Sequence, residues 1–463
     1  MDEILYGSAG ALAGAISDGK LSSAEVVEAH LDRIQEVNPR LNAVVQVRAE
    51  AALEDARRAD ADRARGVVHG PLHGVPMTIK DSLDTEGVVT TGGTKGRQAY
   101  VPQRDSTVVA RLRGAGAILL GKTNTPELTL AAETDNLVYG RTDNPYDPSR
   151  TPGGSSGGAA AIVAAGGSPF DIGSDTGGSI RWPAHCCGIA GIKPTSGRVP
   201  RTGHVVPYGM GARDILTQNG PMARFVDDLV LVLPIISGPD WRDPAIAPVP
   251  LGDPSQVAMK DLRVAVHTDN GVVPATAPVA GVVDAAAAAL TDAGVVVEEA
   301  CPQALLRSHA LFSDLGAADG RAWVRRLLAG AGTTEVHPWL QSRISGSRIM
   351  TSDEFGRVLE DLDRYRSDLL AFMESYDAIL CPASPYPAIP HGTWLEEFGK
   401  GAFTYTAAYN LAGWPGAVVR GGTSPEGLPI GLQVVTRPWR EDVALAVARY
   451  LEGALGGWQR PPL

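Results

Sequence analysis

Cysteine is scarce in this sequence, which excludes a fold held together by disulfide bonds. Four cysteines occur among 463 residues. Cys186 and Cys187 are adjacent, whereas Cys301 and Cys381 are isolated. The chain therefore has neither the spaced framework of a small secreted domain nor a C-x-x-C pair that would bind a metal. We expect buried, reduced thiols.

Metal-binding histidine patterns are also missing. The nine histidines fall at no spacing that is typical of metal ligands. His69 and His73 are four residues apart, but Gly70 and Pro71 between them prevent the helix that would place both rings on one face. The sequence therefore predicts no metal, and it indicates no cofactor.

The chain has no basic run and no long apolar segment. Its formal net charge is -11 and its basic residues are scattered among acids, which disfavours a nucleic-acid partner. No stretch approaches the ~18 uninterrupted apolar residues that a membrane span needs. The amino terminus lacks the basic and apolar regions of a secretory signal. We expect a cytoplasmic protein without a membrane partner, either a monomer or a homodimer.

Helix-like segments open the chain. Ser22 and Glu25 have the spacing of a capping box, and apolar residues at helical spacing follow until Asn38 and Pro39 end the pattern. A second, more polar helix is predicted over residues 49–65.

Strand-like and helix-like segments then alternate. Val75, Met77 and Ile79 alternate as a strand would, and STVVARLRGAGAILL indicates a helix followed by a strand at 117–120. The segments LRVAVHT, residues 279–291 and GVVVEE indicate strand, helix and strand again. Alternation of this kind predicts an α/β protein with a largely parallel or mixed sheet.

Two glycine-rich stretches, GGSSGG and DTGGS, lie within residues 153–180. Glycine clusters mark places where the backbone turns or a ligand approaches it. Neither stretch carries the lysine of a P-loop, and the G-x-G-x-x-G that a dinucleotide site needs directly after a strand is missing, so phosphate binding is disfavoured. The G-x-S-x-G around Ser156 follows a loop, unlike a nucleophile elbow, and DTGG lacks the second DTG of an aspartic protease. A site built around serine hydroxyls remains.

A serine hydroxyl is inert at neutral pH until a base accepts its proton. The sequence offers no convincing histidine for that role. A lysine can serve if burial lowers its pKa, because desolvation disfavours the charged ammonium. Lys80, at the end of the apolar run VPMTI, is the candidate base.

In order and spacing, GVPMTIKD, PGGSSGG and GSDTGGSIRWPAHCCGIAGIKPT resemble the amidase signature family of serine hydrolases. The resemblance covers most of the chain, through GPLHGVP, GKTNTPEL, RTDNPYDPSRTPGG and LPIGLQVVTRP. It implies a single α/β domain over residues 1–463 with a central twisted mixed sheet covered by helices on both faces. The signature core would span about 70–220, and a more variable, substrate-side region about 237–420.

The resemblance also implies a Ser-cisSer-Lys triad. Lys80 is the base, Ser155, which in the family precedes a cis peptide, relays the proton, and Ser179 is the acylated nucleophile. A helix running from Ser179 would add a favourable dipole. The residues expected to hold the loop are Ser156, Asp175 and Arg181. The backbone N–H groups expected at the oxyanion, each worth ~3 to 4 kcal/mol in the transition state, are those of Thr176, Gly177, Gly178 and Ser179.

Substrate recognition is expected from aromatic and sulfur side chains in the more variable part of the chain, where a cleft would suit an apolar or aryl group. These candidates are Tyr208, Met210, Trp339, Trp394, Phe398, Phe403 and Tyr405.

The favoured function is hydrolysis of small aryl or alkyl amides, the aryl acylamidase reaction, extending to esters and to carbamates as in a urethanase. One alternative is the glutaminase subunit of a tRNA-dependent amidotransferase, but the SSLDQIGP stretch of that subunit corresponds here to RDILTQNGP. Another is a protein that binds an anion in its glycine nests without turnover. The intact lysine and serines disfavour it.

Overall fold

The computed structural model describes residues 1–463, apart from the side chain of Ala212. Its strands join in one mixed sheet of order β1-β3-β2-β4-β6-β5-β10-β11-β9-β7-β8. The strands are β1 (Val44–Val47), β2 (Pro76–Lys80), β3 (Ile118–Thr123), β4 (Phe170–Asp175), β5 (Ala190–Lys193), β6 (Gln218–Ala223), β7 (Arg263–Val266), β8 (Val296–Glu299), β9 (Ala378–Pro382), β10 (Gly416–Thr423) and β11 (Pro429–Thr436).

Helices cover both faces of this sheet. They are α1 (Asp2–Tyr6), α2 (Ala9–Ser17), α3 (Ser23–Leu41), α4 (Ala49–Ala64), α5 (Thr107–Gly114), α6 (Gly157–Ala164), α7 (Arg181–Cys187), α8 (Val226–Ile236), α9 (Ala277–Asp292), α10 (Ser308–Ala317), α11 (Ala322–Ala331), α12 (Pro338–Ser345), α13 (Ser352–Phe372), α14 (Trp394–Gly399), α15 (Thr404–Ala412) and α16 (Glu441–Leu455).

The alternation of side chains along the central strands builds two separate apolar layers. In β3, Leu119 packs with residues of α2, α5, α8 and α16 on one face. Its neighbours Ile118 and Leu120 pack with residues of α3, α4, α6 and α7 on the other. The predicted single α/β domain with a mixed sheet between helices is confirmed.

Most predicted elements are present. The capping box of Ser22 and Glu25 starts α3, but the helix continues through Pro39 to Leu41. Pro39 lies in the last turn, where the loss of one N–H donor is tolerated, and Asn42 ends the helix in the left-handed conformation. The predicted strand–helix–strand unit near residue 280 is β7, α9 and β8, with the two strands parallel.

Two further observations concern the helices and the thiols. Within the described residues, no helix is both long and apolar enough to cross a membrane. The cysteines are free, and Cys301 is only partly buried, unlike the other three.

The topology brings the chemistry-bearing segments to one edge of the sheet. Strands β2, β3 and β4 run parallel to one another, so their carboxyl ends meet at the same edge. Lys80 ends β2 and Asp175 ends β4, and α6 and α7 both begin near that edge. Beyond the carboxyl ends of parallel strands is where open α/β sheets bind ligands.

Candidate active site

Lys80 is buried at the carboxyl end of β2, with 0 % of its side chain exposed. Its Nζ lies 2.7 Å from Ser155 Oγ, 2.9 Å from Ser156 Oγ and 3.0 Å from Ser174 Oγ. The strand places the amine on the side of the sheet that faces α6, because Met77 and Ile79 alternate with it and pack in the opposite layer. The amine is thus surrounded by hydroxyl groups rather than by a carboxylate.

The electrostatic setting of Lys80 favours the uncharged amine. Burial lowers the pKa of Lys80 to about 7, although the negative charges of Asp175 and Asp171 raise it part of the way back. At neutral pH a large fraction of the protein therefore carries a Lys80 that can accept a proton. This is the condition that the sequence analysis set for a lysine base.

Ser155 and Ser156 lie in the loop that leads directly into α6. The peptide bond between Gly154 and Ser155 is cis, so the cis bond comes before Ser155 rather than after it, which corrects the expectation from the sequence. A Cβ at Gly154 would lie 2.6 Å from the backbone of Ala132 and of Glu133, so only glycine lets the loop pass so close. Ser155 Oγ receives its hydrogen bond from Lys80.

The second glycine-rich loop joins β4 to α7 and carries Ser179. The N–H of Ser156 donates to the carbonyl oxygen of Ser179 at 3.2 Å, which holds the two loops side by side. Ser179 is half-buried and borders a cavity, whereas Ser155 is 1 % exposed. The expected helix does not start at Ser179, because Ser179 and Ile180 form a turn and α7 begins at Arg181.

Three of the four predicted oxyanion donors remain available. The N–H of Gly178 donates to Asp175 Oδ1 at 2.8 Å and is therefore already engaged. In the described structure, no hydrogen-bond acceptor is found for the N–H groups of Thr176, Gly177 and Ser179. Gly178 adopts φ +133°, and a Cβ there would lie 2.3 Å from Thr406 Oγ1, so glycine is required for this loop shape.

A buried ion pair lies beside the loop that carries Ser179. Asp175 and Arg181 are both 0 % exposed, and the guanidinium donates to both carboxylate oxygens at 3.0 Å. Burial alone would raise the pKa of Asp175, but the charge and hydrogen bonds of Arg181 and a hydrogen bond from Asn410 hold that pKa well below its usual range. Arg181 also donates to Gln433 Oε1 at 2.7 Å. Asp175 and Arg181, which the sequence analysis expects to hold the loop, thus contact each other and the loop backbone at Gly178.

The cavity at Ser179 has a volume of about 130 Å³. Its wall is mostly apolar and aromatic, and among the described residues no aspartate or glutamate lines it. The charged side chains that line it are Arg201, Arg213, Arg321 and Arg343. The cavity therefore suits apolar ligands and anions, and it offers no counter-charge to a cation.

The structure separates the predicted pocket residues into two groups. Those that line the cavity are Met210, Trp394, Phe398 and Phe403. Trp339 lies behind Trp394 and packs edge-on against it at 5.6 Å between ring centroids. Tyr405 is turned away, and its hydroxyl lies 2.8 Å from the carbonyl oxygens of both Thr268 and Val273, to either of which it can donate. Tyr208 is half-buried outside the described lining.

Several residues of the site escaped the sequence analysis. His204 Nε2 lies 2.9 Å from Ser174 Oγ, which itself contacts Lys80. Burial and the charge of Lys80 lower the pKa of His204 to about 3, so the imidazole is neutral. Ser174 could have been noticed because it directly precedes DTGGS, but His204, in GHVVPYG, carries no local signal of this contact.

Among the described residues, no group of histidine, cysteine, aspartate and glutamate side chains is arranged to hold a metal ion.

The chain is similar to known proteins in both sequence and fold. A sequence model of the family described as Amidase matches residues 25–445. The chain is 38% identical over 452 residues to the indoleacetamide hydrolase of Bradyrhizobium diazoefficiens, covering 96% of this chain and 86% of that protein. It is also 38% identical over 492 residues to a glutamyl-tRNA(Gln) amidotransferase subunit of Moorella thermoacetica, covering 99% of each. Among solved structures, 6-aminohexanoate cyclic dimer hydrolase complexed with substrate superposes with a TM-score of 0.86 at 31% identity, covering 99% of each chain.

Proposed function

This chain belongs to the amidase signature family and is a hydrolase of carbon–nitrogen amide bonds, and from that premise we propose that it cleaves small aryl or alkyl amides through an acyl-enzyme on Ser179. The observation that carries the proposal is the 2.7 Å contact between Lys80 Nζ and Ser155 Oγ in the protein interior. A buried amine at this distance can exchange a proton with the hydroxyl.

The first step of the proposed mechanism forms the acyl-enzyme. Uncharged Lys80 accepts the proton of Ser155, Ser155 accepts that of Ser179, and Ser179 Oγ attacks the amide carbon. Negative charge then develops on the carbonyl oxygen, where the N–H groups of Gly177 and Ser179 would donate to it. Each such donor is worth ~3 to 4 kcal/mol in the transition state.

The remaining steps return the protons. The Lys80 ammonium, through Ser155, gives a proton to the leaving nitrogen, which departs as an amine and leaves the acyl group on Ser179. A water molecule then attacks the acyl carbon and loses its proton along the same route to Lys80. The bond between the acyl carbon and Ser179 Oγ breaks, Lys80 returns the proton through Ser155 to Ser179 Oγ, and the carboxylic acid is released. Lys80 ends as it began, so no other proton carrier is needed.

The shape and chemistry of the cavity support an apolar acyl or leaving group. Trp394, Phe398 and Phe403 supply aromatic surface beside Ser179. The indoleacetamide hydrolase at 38% identity is named for an aryl substrate of this kind. Esters and carbamates would react by the same route, since a carbamate adds only one oxygen beside the carbonyl.

The glutaminase alternative has less support from the cavity. The sequence identity does not discriminate, because the amidotransferase protein is equally similar at 38%. Glutamine carries an ammonium group beside its carboxylate, however. The arginines of the described cavity wall could receive the carboxylate, but the wall has no acid to receive the ammonium group, which would lose its hydration without compensation.

The test is a mixing experiment with the purified chain alone. We expect release of 4-nitroaniline from 4-nitroacetanilide without a partner protein or ATP, and no release by the Ser179→Ala variant prepared in parallel. Ammonia from glutamine would be absent or far slower. Activity on glutamine alone would instead support the amidotransferase role, and tight anion binding with no turnover of any amide, ester or carbamate would support the binding protein.

A further inference from the structure

Four arginines line the cavity, and two of them are neutralised by acids that lie outside its wall. Arg201 contacts Asp214 at 2.6 Å, and Arg213 contacts Asp319 at 3.2 Å. Asp319 also contacts Arg326, outside the cavity wall, at 3.5 Å. Arg201 and Arg213 provide an internal comparison for the other two arginines of the same wall.

Arg343 has no such partner. Its one hydrogen bond to the protein is donated to the carbonyl oxygen of Leu130 at 3.2 Å. No carboxylate oxygen of the described residues lies within 4.0 Å of it. Its guanidinium carbon lies 5.1 Å from the ring centroid of Phe398 and 5.8 Å from that of Trp394, so a flat cation is held between aromatic side chains and the open cavity.

Arg321 is the second unpaired cation. It donates one long hydrogen bond, 3.5 Å, to the carbonyl oxygen of Gly316. Its Nε is buried and has no hydrogen-bond partner among the described residues. A buried donor of this kind is costly unless something fills its hydrogen-bonding position.

The two guanidinium groups also act on each other. Burial and the positive charge of Arg321 together lower the pKa of Arg343 to about 9. Both groups are nevertheless charged at neutral pH, because a guanidinium gives up its proton only at much higher pH. The charge of Asp319 raises the pKa of Arg321 only part of the way back, because burial and Arg213 lower it. An anion inside the cavity would neutralise the two like charges that remain at this wall.

We propose that this end of the cavity is a carboxylate subsite: Arg343 and Arg321 bind the carboxylate of an amide substrate whose apolar middle lies along Phe398 and Trp394. The proposal rests on the proposed function, because it names the substrate class of that site. A carboxylate fits the planar guanidinium with two parallel hydrogen bonds and matches its charge. The substrate class is therefore anionic amides, with an acid group separated from the reacting carbonyl by an apolar or aryl segment.

Binding is measured by calorimetry on the Ser179→Ala variant, so that turnover does not enter. The acyl-side probes are the mono-4-nitroanilides of linear dicarboxylic acids from succinic to suberic acid, each compared with its uncharged methyl ester. The leaving-side probes are 4-acetamidobenzoate and its methyl ester. We expect at least one acid to bind tenfold or more tightly than its ester, at the chain length that reaches Arg343, and the responding series identifies the side that carries the acid.

Variants then locate the effect. Added to Ser179→Ala, Arg343→Met should bring the ratio of ester to acid Kd to within about twofold of one, and Arg343→Lys should restore part of the preference. Arg325→Met serves as the matched control, because Arg325 is exposed and lies outside the cavity wall. It should leave the ratio unchanged.

The result that overturns the proposal is an acid that binds no better than its ester at every length and on both sides, with Arg343 present. That comparison uses only the Ser179→Ala protein, so it stands even if the Arg343 variants do not fold. The proposed function is judged separately, by release of 4-nitroaniline from the uncharged esters by the wild-type chain. If the esters are turned over but the acids bind no more tightly, the carboxylate subsite is rejected and the amidase function stands. If the acids bind more tightly but no ester is turned over, the subsite stands and the amidase function is rejected.

Discussion

The Nζ of Lys80 lies 2.7 Å from the Oγ of Ser155, and both groups are shielded from solvent. At this distance the direction of the hydrogen bond depends on the protonation state of the amine. An ammonium can only donate, whereas an uncharged amine can accept the hydroxyl proton. Whether the site can start the reaction therefore depends on the charge of Lys80.

Replacing Lys80 should remove activity even when size or charge is preserved. Lys80→Met keeps the length of the side chain but has no proton acceptor, and Lys80→Arg stays protonated. We expect both variants to lose roughly 10³-fold in kcat/KM on 4-nitroacetanilide, within the usual range for a general base. Lys80→Met should melt no earlier than the wild type, because it replaces a buried amine with an apolar group. A tenth or more of wild-type activity in either variant would contradict the role of Lys80.

The pH dependence of turnover should follow the same amine. Because burial lowers the pKa of Lys80 to about 7, kcat/KM on an uncharged substrate should fall about tenfold per unit below pH 7 and level off above it. The sign follows from the base form, which is the deprotonated one. Stopped assays between pH 5 and 9 measure the profile.

Lys193 offers a control for that profile. It is also buried, and burial lowers its pKa to about 7 as well, but it donates to Pro194 and not to the serines. Lys193→Met should keep a midpoint near 7. A midpoint that moves with Lys193, or a rate that falls as pH rises through 7, would assign the titration elsewhere.

Two of the hydroxyls that contact Lys80 should differ in importance, that of Ser155 in the loop before α6 and that of Ser174 in β4. Ser155→Ala interrupts the proposed proton route and should lower kcat by roughly 10² to 10⁴-fold. Ser174 Oγ lies between the Lys80 amine and His204 and helps to position that amine. Ser174→Ala removes only this contact, so we expect about a tenfold loss in kcat. Single-turnover kinetics of the two variants make the comparison. Equal losses would mean that Ser155 positions the amine and does not relay the proton.

The sequence predicts those residues of the site that belong to a family motif, and it does not predict the others. Lys80 and Ser155 are 75 positions apart, and only the order and spacing of family motifs brought them together before the fold was known. The parallel pairing of β2 with β3 and β4 then explains why these segments meet. The engaged N–H of Gly178 could not be foreseen, because it depends on where the Asp175 carboxylate points.

The pocket was predicted less well, for a physical reason. An aromatic residue can pack in a core as well as line a cleft, so the sequence alone groups Trp339 and Tyr405 with Trp394 and Phe403. Trp339 instead packs against Trp394, and the Tyr405 hydroxyl contacts backbone carbonyl oxygens. Arg343 was overlooked for the opposite reason, since an arginine on a helix is usually solvated. Its packing between Phe398 and Trp394 involves residues more than fifty positions away.

The ion pair below the nucleophile should matter for folding as well as for activity. Asp175→Asn leaves the Arg181 guanidinium buried without a counter-charge, so we expect a loss of about 3 to 5 kcal/mol in the free energy of unfolding. Urea titration followed by tryptophan fluorescence measures it, and kcat should fall with the displaced loop.

The matched control is an exposed pair. Arg364 and Glu360 contact each other on α13 with both side chains more than 60 % exposed, and Glu360→Gln should change the free energy of unfolding by less than about 0.5 kcal/mol. An Asp175→Asn variant as stable as Glu360→Gln would show that the buried pair does not hold the loop.

The most direct test of the account is the identity of the residue that becomes covalently modified. The wild-type chain is treated with a fluorophosphonate, and its peptides are mapped by mass spectrometry. We expect one adduct, on Ser179, that forms faster as pH rises through 7 and is absent from Ser179→Ala. An adduct on another residue, or labelling of Ser179→Ala at the wild-type rate, would contradict the assignment of Ser179 as the nucleophile.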